Sequence, residues 1–145
     1  MSTVVKDLSY FRLRLLELLV SSFPEKVGDT AFVNQRSAHC ASAYEQAFKE
    51  GNSHDDSIRI VEEILFEGLH FSRFDTVFKV VCREFDRLMS DEEMRPSALR
   101  MLPVCEDVFA KYPLIANFQD GPDYELLYTE VTGTIHLWIE ENGLQ

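Results

Sequence analysis

Phe74, Val77, Phe78, Val81, Phe85 and Leu88 follow one another at spacings of three and four. That separation gathers side chains onto one face of an α-helix. Phe11, Leu15 and Leu18 repeat it near the start of the chain, with Leu16 and Leu19 beside them. Tyr124, Leu127, Tyr128, Val131, Ile135 and Trp138 repeat it near the end. A half-buried strand needs apolar residues at every second position, and no segment sustains that alternation. The pattern predicts an all-α fold of about six main helices in a single domain spanning 1–145.

Turn and cap residues divide the pattern into elements. The first helix runs from about Ser9 to Ser22, capped by Ser9 or Asp7, and Pro24 stops it because proline has no N–H to continue the ladder. Asp29 or Thr30 starts the second helix, which runs to Glu50 and presents Phe32, Ala43, Ala47 and Phe48 as its apolar positions, with Cys40 and Tyr44 between. Gly51-Asn52 supplies the left-handed turn that ends it. Ser53 to Asp56 reads as a capping box with Asp in place of Glu, and a third helix to about Glu67 buries Ile58, Val61, Ile64 and Leu65. The stretch Glu67 to Asp75 is a corner: Gly68 stops one helix, Ser72 starts the next, and Leu69, Phe71 and Phe74 turn inward.

Beyond the corner, Ser90 to Glu93 is a break or a further N-cap. Residues from Asp91 to Ala110 read as helical, with Leu99, Leu102, Val108 and Phe109 apolar. Pro96 suits a first turn, and Pro103 should kink the run or split it in two. Lys111 to Gly121 is a loop. The last helix begins at Pro122 or Asp123 and stops at Asn142-Gly143. Gly133 lies inside it at a cost of about 1 kcal/mol relative to Ala, which calls for a close helix crossing there.

Hydrophobic residues make up 46% of the 145 residues, ample material for a core. The net charge of −11 makes bare nucleic-acid backbone a poor partner, because phosphate binding needs cationic surface. A basic partner or plain solubility suits it better. Cys40, Cys82 and Cys105 are odd in number and form no C-x-x-C pair, which fits a reducing cytoplasm and not a disulfide scaffold or structural zinc site. No apolar run approaches the roughly 18 residues of a membrane span, and no signal peptide is expected.

Few residues offer chemistry. Glu67-x-x-His70 has the spacing of one half of a di-iron site, but no second Glu-x-x-His exists, and Gly68 breaks the helix that would align the pair. His70 is better read as capping a helix end. His136 and Glu140, one turn apart, read as a surface pair, and His54 with Asp55 and Asp56 as a helix start. His39 and Cys40 are adjacent on a helix and point about 100° apart, so they make no nucleophile–base pair. All three cysteines are expected to be buried and structural. No phosphate loop, G-x-S-x-G or H-E-x-x-H occurs, and the aromatics stand at core spacing.

Several strings carry a resemblance: Leu8 to Leu16, Glu67-Gly68-Leu69-His70-Phe71-Ser72, Val108-Phe109-Ala110-Lys111-Tyr112, Leu126 to Ile135, and Glu140-Glu141-Asn142-Gly143. Together they resemble a family of small uncharacterised proteins of Bacteroidetes, often encoded near conjugative transposons. The resemblance spans nearly the whole chain and implies a multihelical fold. It brings no known activity, cofactor or site residue. The leading reading is a non-enzymatic cytoplasmic interaction or accessory protein, with a protein, including a second copy, as partner. The rival is an enzyme or small-ligand binder whose site joins the central corner to the last helix through His70, Arg73, Tyr128 and Glu130. No metal or cofactor is expected.

Overall fold

The computed structural model describes residues 3–143, with side chains from Leu8 onward. The helices are α1 (Thr3–Ser22), α2 (Thr30–Lys49), α3 (His54–Leu65), α4 (Arg73–Glu84), α5 (Asp91–Val104), α6 (Glu106–Phe109) and α7 (Tyr124–Asn142), with short 3-10 turns at Pro24–Lys26 and Phe118–Asp120. No strand occurs among the described residues, so the all-α reading stands. The chain forms two compact units, Met1–Leu69 and His70–Gln145.

In the first unit α1 packs on α2 and α2 on α3. Phe11, Leu15 and Leu19 of α1 meet Val33, Cys40, Ala41 and Tyr44 of α2 and Val61 and Leu65 of α3 in one buried cluster. α1 begins at Thr3, so Ser9 lies inside the helix and does not cap it; the side chain of Asp7, the other candidate, is outside the described residues. The buried face of α2 is corrected. It runs Val33, Ser37, Cys40, Ala41, Tyr44 and Ala47, whereas Phe32 and Ala43 are half-buried and Phe48 is exposed. Small residues on that face let the neighbouring helices approach, and Ser37 hides its hydroxyl in a 2.6 Å bond to the Val33 carbonyl. Asp29 caps α2 by accepting from the Phe32 amide, and Ser53 caps α3 by accepting from the Asp56 amide. Asp56 does not complete a box; its carboxylate pairs with Arg59.

In the second unit α4 lies against α5 and α7. Phe74, Val77, Val81 and Phe85 share one buried cluster with Met101, Leu127, Val131 and Ile135. Phe78 only packs against its edge, and Leu88, beyond the end of α4, is exposed. In α5 the buried residues are Met94, Ser97, Ala98 and Met101, with Leu99 outside and Leu102 half-buried. Ser90 and Glu93 form a capping box: the Ser90 amide donates to Glu93 at 2.8 Å. Pro96 is inside α5, past its first turn. Pro103 sits in the last turn, where Cys105 ends α5 and starts α6, so the described residues hold seven α-helices where six runs were read.

The corner divides its apolar residues between the units. Leu69 joins the first core, Phe71 and Phe74 the second. Gly68 has φ +78°, the left-handed conformation its place after a helix suggested. Ser72 caps α4 by accepting from the Asp75 amide at 2.9 Å. Gly68→Val should cost more than about 1 kcal/mol, because a β-branched residue is strained at positive φ. Space is not the limit, since a Cβ at that position meets nothing within 4 Å. Urea unfolding of the variant reads the cost directly, and an unchanged midpoint would refute it.

Candidate functional site

Of the four residues proposed for a site, His70 is exposed. It does not serve the helix end assigned to it: the Ile64 and Leu65 carbonyls that end α3, and the Glu67 carbonyl just beyond, accept from Arg36 Nη1 at 2.9–3.1 Å. Arg73 pairs with Glu106 at 3.4 Å. Tyr128 and Glu130 both belong to α7, but two residues along a helix turn about 200°, and they serve different partners. The Tyr128 hydroxyl donates to Glu84 of α4 at 2.8 Å. Glu130 accepts from the Tyr112 hydroxyl at 2.5 Å and from Lys111 at 2.9 Å.

The Lys111–Tyr112–Glu130 group was not legible as a unit, because its members come from a loop and a helix with no shared period. Its electrostatics are consistent. The hydrogen bond from Tyr112, then that from Lys111, holds the Glu130 carboxyl below its ordinary value. The same bond to Glu130 pushes Tyr112 up to about 12. Burial, then the bond to Glu84, pushes Tyr128 to about 12 as well.

Two shallow depressions border Tyr128. One, of about 500 Å³, is lined by Lys79, Arg83, Glu84, Tyr124, Glu125, Tyr128 and Thr129. The other, of about 490 Å³, shares Glu84, Tyr128 and Thr129 and continues past Thr132 and Gly133 to His136. Neither includes His70, Arg73 or Glu130.

Burial pushes the Cys40 thiol up to about 11 and the Cys105 thiol to about 12, which removes the thiolate a nucleophile needs. Cys82 is half-buried, not buried as expected, and its thiol is raised by desolvation and then by Asp91. His136 meets Glu140 at 3.4 Å on the surface of α7, in agreement with its spacing. His54 opens α3 as read, and its Nδ1 also lies 2.6 Å from the Tyr44 hydroxyl, a contact that the sequence did not signal. Among the described residues no three His, Cys, Asp or Glu side chains gather to hold a metal ion, and no helix is long and apolar enough to cross a membrane.

Thiols and phenols whose pKa the fold raises make stability fall in alkali, Cys40, Cys105, Tyr112 and Tyr128 most of all. Unfolded thiols and phenols ionise near 9.0 and 10.0, whereas the folded chain keeps Cys40, Cys105, Tyr112 and Tyr128 protonated to about 11 or 12. From about pH 9 to 12 the unfolded state has released protons that the folded state retains, so stability drops as pH rises. The urea midpoint should therefore decline steadily across that window. Tyr112→Phe should flatten the part above about pH 10; an unchanged profile would show that Tyr112 is not held this way.

The architecture defines a protein that is all-helical among its described residues and divides into two compact units. Residues 3–144 match the family described as Domain of unknown function (DUF1896), and the chain belongs to that family. It is also similar to protein PG0816 from Porphyromonas gingivalis, known from a crystal structure: 42% identity, 100% of this chain and 99% of that one covered, TM-score 0.92. No curated protein matches.

Proposed function

We propose that the protein is a non-enzymatic interaction protein that engages a basic partner protein through the outer face of α1. The observation that supports this is the position of Tyr10, Leu13 and Val20. They are 41%, 59% and 54% exposed and lie on the side of the helix opposite Phe11, Leu15 and Leu19, which are almost fully buried. An outer helix face ordinarily carries charged and polar residues. Here large apolar side chains occupy about three turns of it, with Glu17 among them. The net charge of −11 favours a cationic partner and opposes close approach of a second copy. Three free cysteines suit the reducing cytoplasm, and an accessory role beside mobile elements is compatible with this reading.

The test compares the wild-type chain with Leu13→Glu/Val20→Glu, both substitutions being on the solvent side. Capture from native lysate should recover a basic protein with wild type and lose it with the variant, while circular dichroism is unchanged. Equal recovery by both chains, or dimerisation of the wild type that the variant abolishes, would overturn the assignment.

A further inference from the structure

The two depressions beside Tyr128 form one groove between α4 and α7, entirely within the second unit. Gly133 lies along it. A glycine inside a helix is destabilising, and the expected compensation, a close helix crossing, is absent: a Cβ built at Gly133 meets nothing within 4 Å. The missing side chain thus leaves open space in the groove and relieves no packing. At the other end Lys79 and Arg83, one turn apart, border the groove, and neither forms an ion pair with a carboxylate among the described residues. The Lys79 ammonium instead lies 5.2 Å from the centre of the Tyr124 ring. Arg14, Arg59, Arg73 and Lys111 all have carboxylate partners.

We infer that this groove binds a small organic anion, with its phosphate or carboxylate at Lys79 and Arg83 and its planar or apolar body along Tyr128 and over Gly133. Two carboxylates limit the charge that can be seated. Glu84 borders both halves but already accepts from Tyr128, and Glu125 lies in the first turn of α7. One anionic group can sit on the Lys79–Arg83 side; a polyanion would meet Glu84 and Glu125. A length of α7 from Tyr124 to Gly133 spans about 13 Å, room for a headgroup and one ring.

The experiment is an amide NMR titration of the full chain with phenyl phosphate, phenylacetate and inorganic phosphate. Saturable shifts at the Thr129 and Gly133 amides with either aryl anion support the site, and the tighter of the two identifies the headgroup. Arg83→Gln should weaken that binding about tenfold by removing charge-assisted donors. Gly133→Leu should fold normally, since its side chain enters open space, and should also lose about tenfold. No saturable shift up to about 10 mM, equal binding of inorganic phosphate, or indifference to both substitutions would overturn the inference. Because α1 takes no part, failure here leaves the interaction reading standing, and failure of that reading leaves this one.

Discussion

Phe74→Ala is expected to lower the unfolding free energy by about 3–5 kcal/mol, the range for an aromatic removed from a packed core. Phe74 is fully buried. Its ring stacks on Phe78 with 5.8 Å between centres, and the Arg95 guanidinium stands over it at 4.7 Å. Truncation therefore removes buried apolar area, leaves a cavity and strips a cation–π contact. Alanine keeps the helix, so α4 itself is not at risk. Position matters too: Phe74 follows the Ser72 cap and belongs to the core that Val81, Met101, Leu127 and Ile135 complete. Urea denaturation should show a lower midpoint with the slope retained. A loss below about 1 kcal/mol would refute this and mean that the core collapses around alanine without leaving a cavity.

Phe74 also shows what the sequence made legible. A stripe with period 3.6 fixes a helix and its inner face, because both depend on residues a few positions apart. That is why α4, the Ser72 cap, the stop at Gly68 and the inner side of α7 could be read directly. On α2 the signal misled. Ala47 was read correctly, but the buried face also takes Val33, Ser37 and Ala41, while Phe32 is only half-buried and Phe48 exposed; small residues such as Ser37 and Ala41 are what let α1 and α3 come close. The candidate site was the least legible part. Tyr128 and Glu130 look like neighbours in the sequence, but helical rotation sends one to Glu84 and the other to Lys111 and Tyr112. Pairings across 18 to 44 positions leave no local period to detect. The same holds for the end of α3, where His70 was the nearest side-chain donor after the helix in sequence while the group that arrives is Arg36.

Arg36→Met should cost about 2 kcal/mol, the order expected when charged hydrogen bonds to a helix terminus are lost. The Ile64 carbonyl accepts a weak 3.3 Å bond from the Glu67 amide, and the last turn of α3 contains no basic residue, so the negative end of its dipole has no local cation. Arg36 on α2 supplies one from 28 to 31 residues away: the Ile64, Leu65 and Glu67 carbonyls converge on a single Nη1 and share its two hydrogens. The guanidinium also lies 4.8 Å from the centre of the Phe32 ring, which holds it in place. Methionine keeps the length and apolar stem but none of the donors. The penalty stays moderate because the outermost contact, to Glu67, is exposed and water can replace it there. Arg36→Lys should cost less than Arg36→Met: an ammonium retains the charge and three hydrogens, but it loses the planar stacking on Phe32. Amide exchange gives the local reading. The Leu69 N–H, which donates to Phe66 at 2.9 Å across the Gly68 turn, should exchange faster in Arg36→Met while the amides of α7 are less affected. If Leu69 exchange and the urea midpoint both match wild type, solvent already satisfies those carbonyls and Arg36 does not hold the end of α3.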